Sequence, residues 1–288
     1  ETAGSAPATD YPDVIGADLA WNEGAMGQGV TVAIIDTGLS WHPGLLKSTD
    51  GRVTNRIVGW ADFVSKSRMP VDPNGHGTHI AGIIANSQQG SDGEWNGVAP
   101  GVRLVGVRVL NQDGYGSYEQ VIQGVQWAIR NKDRYNIRVM NLSLLSNVQS
   151  PYFADPLNQA VTKAWASGIV VVAAAGNSGP NAMTVMVPGN NPYAITVGAF
   201  TDNYTPADWS DDYIAPFSAA GPTLDGFVKP DLVAPGAHMV SPMLPNAKLV
   251  RSHVANWIHG TYFTMAGTSQ AAAVVSGVAA LMLSENPD

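Results

Sequence analysis

The chain has 288 residues, 45% of them hydrophobic and 13% charged, with a net charge of -8. That is enough apolar mass for one large core, and an acidic balance without any lysine or arginine cluster excludes general binding to a nucleic-acid backbone. The absence of cysteine excludes disulfides, thiol catalysis and thiolate metal sites, and no apolar run reaches the length of a bilayer helix, so no membrane span is expected.

The chain begins with "ETAGSAPATD", without a starting methionine or a charged-then-apolar leader, and reads as the front of a mature or excised form. Strand-like runs then follow in order: "VTVAIID", "RIVGWADF", "RLVGVRVL", "IRVMNLSL", "IVVVAAAG" and "YAITVGAF". Between them lie "HGTHIAGIIAN", "YEQVIQGVQWAIRN" and "DPLNQAVTKAWASG", the last two with apolar residues at three- and four-residue steps. Several of the strands are apolar throughout, which predicts a parallel sheet covered by helices on both faces. From Thr201 to Ser218 the chain turns polar and acidic, and this is expected to be a solvated surface loop; its "NYT" at Asn203 fits a glycosylation acceptor. Near the end, "FTMAGTSQAAAVVSG" places a Gly-Thr-Ser turn in front of a smooth alanine-valine helix.

In an open parallel sheet the functional crevice lies beyond the carboxyl ends of the strands. Four side chains stand at such edges: Asp36 at the end of "VTVAIID", His76 at the entry to "THIAGIIAN", Asn177 after "IVVVAAAG", and Ser269 at the front of its helix. Each alone has an ordinary explanation, as a turn aspartate, a metal-binding or structural histidine, a turn asparagine and a helix cap. Together they make a mechanism. A serine hydroxyl needs a base within reach and a third group to hold that base in one tautomer, and the attack creates an oxyanion that needs donors. Ser269, His76 and Asp36 supply the first three, and the Asn177 carboxamide with the Ser269 N–H supplies the donors. No metal is needed for this. Other readings fail on count or spacing. The single "DTG" lacks the second copy of a carboxylate dyad, His76 and His79 lack the glutamate of H-E-x-x-H, and Ile80 stands where G-x-G-x-x-G needs glycine. His79 is expected to be structural.

The segments "VAIIDTG", "NGHGTHIAGIIA", "AAAGNSG" and "AGTSQAA", in that order, resemble the aspartate, histidine, oxyanion and serine motifs of the subtilisin-like serine protease (subtilase) family. The resemblance runs through nearly the whole chain and includes "NGVAPGVRL" and "KPDLVAPG". It implies a three-layer α/β/α fold around a mostly parallel seven-stranded sheet, a single peptidase domain over residues 1–288 lacking a C-terminal segment, and peptide-bond hydrolysis through an acyl-enzyme. Extended substrate is expected along "NLSLL", with Ser143, Leu144, Leu145, Ala175 and Gly176 as substrate-binding residues. Partners are expected to be protein or peptide substrates and the chain's own removed propeptide, in a secreted or cell-surface setting. An inactive peptide-binding module and a substrate-specific processing protease are the alternatives.

Departures from the family pattern bear on specificity and ions. Leu145 stands where glycine is usual and narrows a substrate pocket, Gln270 replaces a methionine, and Ala273 replaces a proline in the first turn of the last helix. Gly44 stands where a calcium-binding carboxylate is expected and "NSQQGSDGEWNG" differs from the usual loop, so structural calcium is not expected there.

Overall fold

The computed structural model describes residues 6–46, 48–258 and 260–287. Helices α1 (Tyr11–Val14) and α2 (Ala17–Asn22) precede strand β1 (Thr31–Asp36). There follow α3 (Pro43–Leu46), β2 (Ile57–Asp62), α4 (His76–Ala85), β3 (Arg103–Arg108), α5 (Tyr118–Arg130), α6 (Lys132–Tyr135) and β4 (Ile137–Leu142). The rest is α7 (Pro156–Ala166), β5 (Val170–Ala174), β6 (Ile195–Thr201), β7 (Tyr213–Ile214), β8 (Leu232–Pro235), β9 (Met239–Pro242), α8 (Lys248–Ser252), β10 (Tyr262–Met265) and α9 (Thr268–Glu285).

Among the described residues the main sheet has eight strands, of which only the two-residue β7 runs antiparallel, against the end of β6. The other seven are parallel in the order β2-β3-β1-β4-β5-β6-β8, as the sequence implied. Strand alternation sorts the core into two layers. Val32 and Ile34 of β1 pack with Ile80 and Ile83 of α4 and Ala271–Val275 of α9, whereas Ala33 and Ile35 pack with Val121 and Val125 of α5 and Val161 of α7. Helices on both faces explain why these strands are apolar throughout rather than alternating.

The outer helices start where their caps say. Ser117 and Gln120 form a capping box on α5, and Asp155 accepts from Asn158 N at the start of α7, followed by Pro156 at its first position. Helix α4 begins after Gly75, whose φ of 107° and 2.7 Å approach to Met243 Sδ, measured from where a Cβ would sit, leave room only for glycine.

Two features were not foreseen. Strands β9 and β10 pair in a separate antiparallel ribbon, and the excursion between them carries α8 with its own small core of Met243, Ala247, Val250 and Phe263. The segment after β6 is largely exposed, but its first residue, Asp202, is buried and meets His238 Nε2 at 2.6 Å. Asn203 is exposed, and its amide donates to Asp211.

Candidate active site

All four chemical side chains stand at the carboxyl edge of the sheet. Asp36 is the last residue of β1 and is 0% exposed. Its carboxylate accepts the Thr37 N–H at 2.7 Å and meets His76 Nδ1 at 2.8 and 3.0 Å. His76 is the first residue of α4, and the glycine before it lets that helix start beside the strand end.

A second carboxylate, Asp72, ties these two elements together. It accepts from Thr37 Oγ1 at 2.8 Å, Gly75 N at 2.9 Å, Thr78 N at 2.8 Å and Thr78 Oγ1 at 2.6 Å. Thr37 Oγ1 in turn accepts from Gly77 N at 2.9 Å. The first-turn amides of α4, which no intrahelical carbonyl can satisfy, are thus capped from a distance, and the loop after Asp36 is fixed to the turn around His76.

Ser269 lies in the first turn of α9 and is 6% exposed. Its hydroxyl donates to the Ser143 carbonyl at 3.3 Å and makes no hydrogen bond to His76 among the described residues, although both line one cleft. As a first-turn amide, Ser269 N–H has no intrahelical acceptor. Asn177 leans on the same turn: its Oδ1 accepts from Thr268 N at 2.9 Å and Thr268 Oγ1 at 3.1 Å. With the oxygen committed to Thr268, the amide NH2 is the part of Asn177 left to act as a donor.

Burial works against a charge on His76, but the charge and hydrogen bond of Asp36, with the charge of Asp72 behind, outweigh it and raise its pKa above the ordinary histidine value. Because Asp36 accepts the Nδ1–H, the neutral ring keeps its lone pair on Nε2. Such an arrangement can remove a proton from a hydroxyl and stabilise the imidazolium that results.

The cleft has a volume of about 430 Å³. Ser143, Leu144 and Leu145 line it with His76 and Ser269, facing Gly114–Gly116 and Leu249. Ala175 and Gly176 do not line it. Ala175 is buried with Val185 and Ala219 and uses both its N–H and its carbonyl within the fold. Gly176 donates to Thr268 Oγ1 and accepts from Ala219 N. Met186 lies over Gly176, its Cγ 3.0 Å from where a Cβ on that glycine would sit. Sequence reasoning missed Asp72, Leu249 and the contact of Thr268 with Asn177. A capping carboxylate upstream of "GHG" was a readable signal for Asp72, whereas the others have no local pattern.

His79 is buried, and its Nε2 donates to the carbonyls of Met239 at 3.1 Å and Phe263 at 3.0 Å. Burial pushes its pKa down to about 3, so it stays neutral. Gly44 sits against Asn86, and its carbonyl, with those of Ala85, Pro100 and Val102, receives the buried Arg56 guanidinium. A fixed positive charge occupies that corner and, among the described residues, no carboxylate pairs with it, so the residues there do not fit calcium. Among the described residues, the one group of metal-ligating side chains that converges is Asp10, Asp202 and His238, outside the cleft lining. There the imidazole already stands between two carboxylates, and burial followed by the Asp202 charge raises the Asp10 pKa.

The pattern described as the Subtilase family matches residues 27–288. The chain is 44% identical over 267 residues to Serine protease AprX of Bacillus subtilis (strain 168), covering 91% of this chain and 58% of that protein. It is 38% identical over 276 residues to Subtilisin DY of Bacillus licheniformis, covering 95% of this chain and 84% of that protein. Among solved structures it is similar to a cold adapted subtilisin-like serine proteinase, with a TM-score of 0.67 and 34% identity over 91% of this chain and 77% of the other. Sphericase gives a TM-score of 0.69 and 28% identity over 91% of this chain and 79% of the other. An edge that sets aspartate, histidine, asparagine and serine together, on a sheet of this order, therefore has a family: the chain belongs to the subtilases and carries a subtilisin-like serine endopeptidase domain.

Proposed function

We propose that Ser269 is the nucleophile that attacks the scissile carbonyl, with His76 as general base and then general acid and Asp36 as the group that holds its tautomer. The observation that carries this reading is the Asp36 carboxylate on His76 Nδ1 at 2.8 Å, in the cleft that also contains Ser269. The hydroxyl leaves the Ser143 carbonyl for His76 Nε2 by rotation about its side-chain bond as substrate enters. His76 takes its proton, the Ser269 N–H and the Asn177 amide meet the oxyanion, and the protonated imidazole gives the proton to the leaving amine. Water then repeats the sequence on the acyl-enzyme. The scheme needs no metal or organic cofactor.

Substrate lies extended along Ser143, Leu144 and Leu145. The main chains of Leu144 and Leu145 have no hydrogen-bond partner among the described residues, which supports capture by strand addition. Ala175 and Gly176 act from behind, as the wall that Met186 closes. Leu145, beside Ser143 and Ser269 in the lining, narrows the cleft, so small side chains are preferred beside the scissile bond. The carboxylate in the cleft lining, Asp113, is already paired with Lys248, which argues against a processing enzyme that selects basic residues. The whole protein is a secreted or cell-surface peptidase, made with a removed propeptide, that acts on proteins or peptides. Among the described residues no helix is long and apolar enough to cross a membrane, which is compatible with that setting.

The test is inactivation by a fluorophosphonate followed by mapping of the modified residue. The label is expected on Ser269, with labelling lost in Ser269→Ala together with at least about 10⁴-fold of the turnover, the scale of loss for the subtilisin triad itself. Hydrolysis that survives Ser269→Ala at wild-type rate would sink the assignment.

A further inference from the structure

Behind the cleft, four polar residues form one hydrogen-bonded chain. Ser276 Oγ donates to Asn141 Oδ1 at 2.9 Å, Asn141 Nδ2 donates to Ser143 Oγ at 2.8 Å, and Ser143 Oγ donates to the Ser269 carbonyl at 2.9 Å. Asn141 and Ser276 are both 0% exposed, and neither lines the cleft.

Their placement follows from the alternation of β4. Val139 packs in the α4–α9 layer, while Met140 and Leu142 pack in the α5–α7 layer. Asn141, two residues after Val139, therefore faces α9, and its carboxamide oxygen meets the Ser276 hydroxyl in the middle of that helix.

A carboxamide in a strand buried on both faces costs free energy unless it is paired, and an apolar side chain would avoid that cost. What the amide adds is direction. The Ser276 hydroxyl fixes Oδ1 as acceptor, which fixes Nδ2 as donor to Ser143 Oγ, which turns the Ser143 proton towards the Ser269 carbonyl. Ser143 also accepts the Ser269 hydroxyl on its own carbonyl, so a single residue grips Ser269 at both ends.

We infer that Asn141, with Ser276 behind it, is a positioning residue that fixes Ser143 in the donor orientation holding the Ser269 backbone, and thereby its N–H and hydroxyl, at the cleft. The inference rests on the reading of Ser269 as nucleophile. In its ionised form Asn141→Asp keeps the volume and the acceptor for Ser276 but cannot donate to Ser143, whose proton turns to the carboxylate instead.

The experiment measures kcat and KM on a peptide anilide, the rate of fluorophosphonate inactivation, and the melting temperature, for wild type, Asn141→Asp and Ser276→Ala. Asn141→Asp is expected to lower kcat roughly ten- to hundredfold, with KM nearly unchanged and inactivation slowed in parallel. Ser276→Ala, which removes one small hydroxyl, is expected to show a smaller loss of the same kind and carries the test if Asn141→Asp does not fold. A lowered melting temperature with unchanged kcat and labelling in the folded variants would overturn the inference. Wild type that is not labelled on Ser269 would instead overturn the nucleophile assignment.

Discussion

The inner side of the cleft, where His76 and Ser269 line it with Asp36 behind His76 and Asn177 on the turn that carries Ser269, and its outer wall, built from residues 113–116 and Leu249 of α8, are made differently. The inner groups stand at the ends of strands and the starts of helices, and the turns that carry them are held by buried residues, Asp72 on the Gly75 N–H before His76, Thr268 on Asn177 and Asn141 on Ser143. The outer wall carries Tyr115, 76% exposed, and a half-exposed Lys248–Asp113 pair of the kind that contributes about 0–1 kcal/mol. The inner side is thus set by elements that cannot shift without disturbing the core, while the opposite side of the cleft is built from segments that can.

The contrast can be broken from the inner side first. Asn177→Ala is expected to cost about 10²–10³-fold in kcat, the effect of removing one oxyanion-hole donor in subtilisin, with KM little changed. A rise in KM at constant kcat would make Asn177 a ground-state contact and not an oxyanion donor. Next is the pH profile. Because the neutral form of His76 is the active one and its pKa is raised, the acid limb of kcat/KM should lie above the ordinary histidine value of about 6.5, with activity falling about tenfold per pH unit below it. A limb below that value would mean that burial, not Asp36, controls the ring. The smallest effect belongs to Leu145→Gly, which should raise kcat/KM for bulky over small side chains beside the scissile bond by roughly three- to tenfold. An unchanged preference would place the selecting wall elsewhere.

Much of the inner wall was legible because its signals are local. The two-sided apolar strands and the polar residues at strand ends follow from neighbouring residues. The rest depends on contacts across the chain. Helix α8 and the β9–β10 ribbon are too short to show a period, and nothing near Asp202 announces His238 as its partner. Ala175 and Gly176 were expected at the substrate, but segment 185–187 covers them, through Met186 N on the Ala175 carbonyl and Met186 over Gly176.

The parallel arrangement of β1, β3, β4 and β5 also has a reverse side. The amino ends of these strands, at Thr31, Arg103, Ile137 and Val170, form a second rim that carries none of the four reacting side chains. Thr31 there ties the sheet to the Tyr135 carbonyl at 2.6 Å. An engineer seeking greater heat resistance therefore has a workbench a full strand length from the reaction, where tighter turns and added ties can be introduced without altering what the enzyme cuts.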